Sequence, residues 1–243
     1  DGDGCSWDGL PGDTGIALPS DYDGTLPAMT VAFIYVNGYN PSVETVGGWS
    51  FRVDYGDVST RCNPSNNPLL YSCAYYGTAD SGKAMVGTLN TGGPYCSDTQ
   101  VYRTAELDVC CPKWYAACKP PTGWEYVEGL PCGDERGGQV IVTFTADGDK
   151  AYAITSGDES AFSVSLDDGR SWNQWGLIDT WIDYLGDVQV TGDCNKAYIT
   201  STNDFHGWQE TESFCDSVWR SEIDEDGEVI GDFWERVLCE DFS

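Results

Sequence analysis

A short lysine-alanine signature occurs three times along the chain, and each copy opens a stretch with the alternating pattern of a β-strand. The copies are Gly82-Lys83-Ala84-Met85, Asp149-Lys150-Ala151-Tyr152 and Asn195-Lys196-Ala197-Tyr198. Three of the five lysines in the chain occupy this one position. Self-similarity at a spacing of tens of residues is typical of repeat architectures, in which every unit contributes the same group of elements. The repeat therefore limits the fold more than any other feature of the sequence.

Each copy is followed by a second alternating strand and then by a closing segment that contains tryptophan. The second strands begin at Val101, Phe162 and Val218, and the closing segments begin at Trp114, Ser171 and Phe233. An apolar stretch precedes two of the three signatures, and YSCAYYG from Tyr71 is the candidate for the first, so a unit consists of four strands joined by turns. The pattern predicts an all-β protein, either a β-propeller or a partial propeller of four-stranded antiparallel blades with disulfide-stapled loops. A sandwich of unrelated meanders is the alternative.

The repeat also divides the chain. We assign residues 1–28 to an N-terminal extension and residues 29–243 to the repeat domain, with clear units at about 70–130, 137–178 and 187–243. A more diverged fourth unit begins at Met29 and includes a strand from Trp49. Propellers have four to eight blades, so this number of units predicts a small ring, part of a longer ring, or copies that cover each other's edges.

The chain contains 11 cysteines, and no pair of CxxC motifs or cluster of histidines accompanies them. This pattern favours disulfides formed in an oxidising extracellular setting over a zinc site. An odd number leaves one thiol free or bridged to another chain. The predicted pairs are Cys62 with Cys73, Cys96 with Cys110 or Cys111, Cys118 with Cys132, and Cys194 with Cys215 or Cys239.

Forty acidic residues against 12 basic ones give a formal charge of −28. This charge repels nucleic acid and anionic membrane surfaces, and no apolar run is long enough for membrane insertion. Calcium would relieve the repulsion. Asp224, Asp226 and Glu228 alternate in one acidic turn and form the candidate calcium site, although the turn lacks the full EF-hand pattern. The alternative is a solvated hairpin turn.

The stretch SLDDGRSW, residues 165–172, resembles the Asp-box of BNR-type β-propeller proteins. Ser165, Asp167, Gly169, Ser171 and Trp172 match that motif. The resemblance implies a structural turn between the third and fourth strands of a blade, on the outer rim. Hydrogen bonds accepted by Asp167, a positive φ at Gly169 and burial of Trp172 would suffice for this role without a substrate.

Asp-box propellers include sialidases and other glycoside hydrolases, so the resemblance also implies a glycoside hydrolase or carbohydrate-binding lectin as the alternative function. A sialidase needs three arginines around a carboxylate. Arg103 and Arg220 occupy equivalent repeat positions, and Arg170 lies inside the Asp-box, which favours structural roles. His206 is the only histidine, and no GxSxG motif is present. We therefore assign no catalytic residue.

Together these features predict a secreted or cell-surface structural or binding protein. We expect it to self-associate or to bind other surface proteins in an S-layer, coat or filament. Carbohydrate is the alternative partner, and calcium is the only cofactor that the sequence suggests.

Overall fold

The computed structural model describes residues 14–26, 31–40, 45–54, 57–58, 69–89, 100–105, 113–118, 139–156, 161–177, 184–193, 195–203, 214–224 and 229–242. In these parts of the chain all regular structure is β-strand. None of the described residues forms a helix that is long and apolar enough to cross a membrane.

The strands form four antiparallel sheets, each with four strands in chain order. Sheet 1 contains β1 (Thr14–Ala17), β2 (Val31–Asn40), β3 (Thr45–Asp54) and β4 (Asp57–Val58). Sheet 2 contains β5 (Leu69–Thr78), β6 (Ser81–Leu89), β7 (Val101–Thr104) and β8 (Tyr115–Ala116). Sheet 3 contains β9 (Val140–Phe144), β10 (Ala151–Thr155), β11 (Ala161–Ser165) and β12 (Asn173–Leu177). Sheet 4 contains β13 (Tyr184–Val190), β14 (Lys196–Asn203), β15 (Phe214–Ile223) and β16 (Val229–Phe242).

This architecture confirms the predicted all-β class and the four-stranded antiparallel unit. Sheets 2, 3 and 4 correspond to the three clear repeat units, and sheet 1 corresponds to the diverged unit that begins near Met29. Sheet 1 nevertheless takes its first strand, Thr14–Ala17, from the segment that we assigned to an N-terminal extension. The strand is only four residues long, so its alternation is too short to be distinguished in the sequence.

The three signature lysines lie at equivalent positions in successive sheets. Lys83 lies near the start of β6, Lys150 directly precedes β10, and Lys196 is the first residue of β14. Each of these strands is the second strand of its sheet, and each lysine follows the turn from the first strand. The spacing in the sequence therefore reflects a repeat in space.

The alanines that follow these lysines are buried, and each pairs with a buried hydroxyl residue on the third strand. The pairs are Ala84 with Thr104, Ala151 with Ser165, and Ala197 with Ser221. All six residues are at most 4% exposed. A small side chain at this point allows the neighbouring sheet to approach closely, which explains why alanine follows the lysine in every copy.

Three hydrophobic clusters hold the sheets together, one for each pair of neighbours. The cluster between sheets 1 and 2 includes Phe33 and Val86. The cluster between sheets 2 and 3 includes Met85 and Val142, and the cluster between sheets 3 and 4 includes Tyr152 and Ile199. No hydrophobic cluster of the described residues joins sheet 4 to sheet 1. The core is therefore a series of interfaces between sheets rather than a single interior.

A tryptophan from the closing segment of sheets 2, 3 and 4 packs towards the preceding sheet. Trp114 belongs to the cluster between sheets 1 and 2, and Trp172, which is 1% exposed, belongs to the cluster between sheets 2 and 3. Trp234 packs against the third cluster with its ring centroid 5.0 Å from that of Phe162, edge to face. Each ring adds a large apolar area to one interface.

Cys73 and Cys118 are free thiols in the structure, which differs from the predicted bridges to Cys62 and Cys132. Cys73 lies in the middle of β5 and packs against the cluster between sheets 1 and 2. Burial raises the pKa of its thiol to about 12. The predicted partners Cys62 and Cys132, together with Cys96, Cys110, Cys111 and Cys194, lie outside the described residues, and so do the side chains of Cys215 and Cys239.

Candidate functional site

The turn between β11 and β12 is held by side-chain hydrogen bonds of the residues that resemble an Asp-box. Ser165 Oγ donates to Asp167 Oδ1 at 2.9 Å and accepts a hydrogen bond from the Gly169 amide at 2.8 Å. Asp167 Oδ1 also accepts from the Ser171 amide at 2.9 Å, and Asp167 Oδ2 accepts from Ser171 Oγ at 2.7 Å. These bonds satisfy backbone groups that the tight turn leaves without strand partners.

The backbone of this turn requires left-handed conformations at two successive residues. Asp168 has φ 58° and Gly169 has φ 76°. Aspartate tolerates this region better than most residues, and glycine adopts it without a steric penalty. A Cβ at position 169 would lie 2.8 Å from Met85 Cε of sheet 2. Glycine at this position therefore serves both the turn and the contact between sheets.

Burial alone would raise the pKa of Asp167, but hydrogen bonds outweigh that effect. Donors at Ser171, Ser165 and the Arg170 amide hold the pKa of this carboxyl below its usual value. The carboxylate is therefore ionised at neutral pH and acts as a hydrogen-bond acceptor within the turn.

The turn at residues 165–172 also connects sheet 3 to sheet 2. Lys83 of sheet 2 forms an ion pair with Asp168, and the Lys83 Nζ lies 5.7 Å from the ring centroid of Tyr76 and 5.6 Å from that of Phe144. The Cys118 amide of sheet 2 donates to the Arg170 carbonyl at 2.7 Å. The left-handed residue Asp168 thus presents its carboxylate to the signature lysine of the preceding sheet.

The motif is degenerate in sheet 4 for a packing reason. Ser221 occupies the position of Ser165, but the residue two positions later is Ile223 instead of an aspartate. Ile223 is 2% exposed and belongs to the core between sheets 3 and 4. Apolar burial replaces the hydrogen-bonded carboxylate at this turn.

A second repeated turn precedes the signature lysines and was missed in the sequence analysis. Residues 78–83, 145–150 and 191–196 share the pattern Thr-x-Asp-x-x-Lys. Thr145 Oγ1 donates to Asp147 Oδ1 at 2.6 Å and accepts from the Lys150 amide at 3.1 Å. Thr191 Oγ1 accepts from the Lys196 amide at the same distance. Extending each lysine signature by four residues upstream would have revealed this pattern.

A groove of about 660 Å³ lies where the first strands of the four sheets converge. Residues of β1, β5, β9 and β13 line it, together with Tyr35 of β2 and the segments that follow β1 and β9. We call this feature the central groove. The sequence could not indicate it, because it depends on how the sheets are arranged around one another.

Hydrogen bonds beside the central groove join strands of different sheets. Tyr71 Oη of sheet 2 donates to the Leu185 carbonyl of sheet 4 at 2.8 Å. Ser72 Oγ donates to the Val140 carbonyl of sheet 3 at 2.8 Å, and the Leu185 amide donates to Gln139 Oε1 at 2.9 Å. The hydroxyl of Tyr35 in sheet 1 donates to the Tyr71 carbonyl. Much of the polar lining is therefore occupied in holding the sheets together.

The described lining of the central groove does not supply a hydrolytic pair. Asp187 is its only acid, and no lysine or arginine is among these lining residues. Glycosidases of the two-carboxylate type need a second acid at a defined separation. Cys73 also lines the groove, but its raised pKa keeps the thiol protonated and therefore a poor nucleophile.

The candidate calcium residues are only partly described. Asp224 follows the end of β15, whereas Asp226 and Glu228 lie outside the described residues. Among the residues with described positions, no group of three or more acids, cysteines and histidines could hold a metal ion. The calcium site therefore stays a prediction.

No protein-family model and no curated protein matches the chain. Among solved structures it is similar to a puromycin hydrolase, with a TM-score of 0.57 and 10% identity over 94% of this chain and 33% of that one. It is also similar to a puromycin-hydrolyzing peptidase from Mycobacterium tuberculosis, with a TM-score of 0.51 and 10% identity over 86% of this chain and 31% of that one. The hydrazine synthase of Kuenenia stuttgartiensis gives a TM-score of 0.50 and 11% identity over 88% of this chain and 64% of that one.

At these identities the likeness shows the fold alone. The chain spans about a third of the length of the two hydrolases. The four repeated antiparallel sheets and this likeness define the protein as an all-β chain with a β-propeller-like fold.

The hydrogen bonds to Asp167 predict a pH-dependent loss of stability in Asp167→Asn. We expect the variant to lose about 1–2 kcal/mol of unfolding free energy at pH 7, since a charged acceptor is removed from several hydrogen bonds. A carboxyl whose pKa is lowered on folding stabilises above its unfolded value near 4 and loses that contribution as the pH falls through its folded value. The gap between wild type and variant should therefore begin to narrow below about pH 4 and close at lower pH in urea unfolding. Asp80→Asn, an exposed acid in the β5–β6 turn, controls for the change in net charge, and a gap independent of pH would contradict this account.

The ion pair between Lys83 and Asp168 predicts a measurable coupling between the two positions. A double-mutant cycle with Lys83→Met and Asp168→Asn should give about 0.5–1 kcal/mol, because both side chains are partly exposed. Asparagine keeps the tolerance for a left-handed backbone at position 168. Lys196→Met is the matched control, because Lys196 forms no ion pair with a described acid. Equal losses of unfolding free energy for Lys83→Met and Lys196→Met, with no coupling between Lys83 and Asp168, would refute a stabilising ion pair.

Proposed function

We propose that this chain is an extracellular structural and binding module of the Asp-box propeller type, which works by associating with copies of itself or with other surface proteins. The observation that carries the proposal is that the described residues leave the outer sides of sheet 1 and sheet 4 without a neighbouring sheet. In the described residues the three clusters fill the interfaces from sheet 1 to sheet 4, but none closes the series. An uncovered apolar sheet face favours association with another protein surface.

The assignment to the Asp-box type rests on the turn at residues 165–172. Its hydrogen bonds, its left-handed glycine and its buried tryptophan perform the structural role that the resemblance implies. In this proposal the fold is a partial propeller, and its long loops are held by disulfides among the cysteines outside the described residues.

The extracellular setting rests on composition. Eleven cysteines and a charge of −28 suit an oxidising, cation-rich medium better than the reducing cytosol. Calcium at the acidic turns, including Asp224, Asp226 and Glu228, would reduce repulsion within the chain and between copies.

Carbohydrate binding or hydrolysis in the central groove is the second candidate function. The groove is large enough for a small ligand, and tyrosines that can stack on sugar rings line it. The single acid in the described lining favours binding over two-carboxylate hydrolysis.

Association and glycosidase activity can be tested on the same preparation. We expect sedimentation velocity and negative-stain electron microscopy to show species larger than the 26.5 kDa monomer, with less association after calcium chelation. We expect no release of reducing sugar from a panel of polysaccharides. A strictly monomeric chain that releases sugar, with the activity lost in Asp187→Asn, would replace the first proposal by the second.

A further inference from the structure

The outer side of sheet 1 is an apolar surface that the described residues leave uncovered. It consists of Ile16, Ala32, Ile34, Val36 and Val53, and we call it the outer apolar face. Ile16 pairs with Ile34 across β1 and β2, and Ala32 pairs with Val53 across β2 and β3. Ile16 is 62% exposed, Ile34, Val36 and Val53 are half-buried, and the small Ala32 between its neighbours is buried.

Alternation along β2 separates this face from the interface with sheet 2. Val31, Phe33 and Tyr35 belong to the cluster between sheets 1 and 2, so the intervening residues Ala32 and Ile34 lie on the opposite side. Apolar side chains thus occupy both sides of β2, as in a strand that is covered from both directions.

In the other three sheets the corresponding side is covered by the preceding sheet. The second strands of sheets 2, 3 and 4 use a pair of small or branched residues for that contact. These pairs are Ala84 and Val86, Ala151 and Ala153, and Ala197 and Ile199. The outer apolar face of sheet 1 therefore corresponds to the sides that a preceding sheet covers in sheets 2, 3 and 4. Another sheet is the element that would cover it.

Sheet 4 does not offer a matching surface. On the side of β14 that faces away from sheet 3 lie Tyr198 and Thr200, next to Arg220 and Glu222 of β15. Arg220 forms an ion pair with Glu235 of β16 on this side. Placing this surface against apolar side chains would remove water from charged groups without new partners. Head-to-tail stacking of copies is therefore unfavourable.

We propose that the outer apolar face docks against the same face of a second copy, so that two first sheets pack face to face about a two-fold axis. An isologous contact matches apolar surface with apolar surface, and two sheets pack in this way about 10 Å apart. None of the five residues of the face is ionisable. Two chains of charge −28 can therefore meet there without placing like charges of these residues against each other. The inference rests on the proposed function and specifies which surface performs it.

The test compares Ile16→Asp with Ile230→Asp. Ile230 is 50% exposed on β16 and pairs with Glu222 on the outer side of sheet 4, so it is the matched control. Sedimentation equilibrium in 0.5 M NaCl, which screens the repulsion between copies, should show a dimer for the wild type and for Ile230→Asp. Ile16→Asp should weaken the dimer at least tenfold. Near-UV circular dichroism checks the fold, and Ile16→Ser serves as a milder variant if the aspartate prevents folding.

The outcomes separate this inference from the broader proposal. Association that is lost in Ile230→Asp but kept in Ile16→Asp would overturn the two-fold docking and leave self-association intact. Association that neither variant changes would also overturn it. In a third outcome the wild-type chain stays monomeric at high salt and binds a hydrophobic dye, and Ile16→Asp binds less of that dye. This outcome would show that an element other than a second copy covers the outer apolar face. It would count against self-association as well.

Discussion

The structure depends on the need of each four-stranded sheet to bury its apolar sides. Sheets 2 and 3 carry buried apolar residues on both faces, and no helix of the described chain is available to cover them. The second strand of sheet 3 meets this need completely, since all five residues of β10 are buried. Its alternate residues belong to the interfaces with sheets 2 and 4. Repetition of the unit is thus the means by which each copy buries the next.

Turn chemistry connects neighbouring sheets as well as neighbouring strands. Asp167 organises the backbone of its own turn, while the adjacent Asp168 reaches Lys83 of the preceding sheet. Close backbone approach adds to this connection, because a Cβ on Gly87 of β6 would lie 2.1 Å from the Val140 carbonyl oxygen of β9. Asp167, Asp168 and Lys83 therefore stabilise the turn and the contact between sheets 2 and 3.

The sequence predicts the elements of the repeat well because local patterns determine them. Lysine spacing located the second strands of sheets 2 to 4, and alternation indicated the strands that flank them. The central groove and the role of Tyr71 escaped prediction because they arise from contacts between sheets far apart in the chain. The bridge expected at Cys73 failed for a similar reason: spacing along the chain does not show that this residue packs against the cluster between sheets 1 and 2.

Native-state hydrogen exchange tests most directly whether burial between sheets holds the fold together. β10 and β14 are matched strands, since each is hydrogen-bonded to a strand on both sides, but only β10 belongs to a sheet covered by neighbours on both faces. The account predicts that amides of Ala151–Thr155 exchange only through global unfolding and that those of Lys196–Asn203 exchange through a smaller opening. Equal protection of the two strands, or slower exchange in β14, would contradict it.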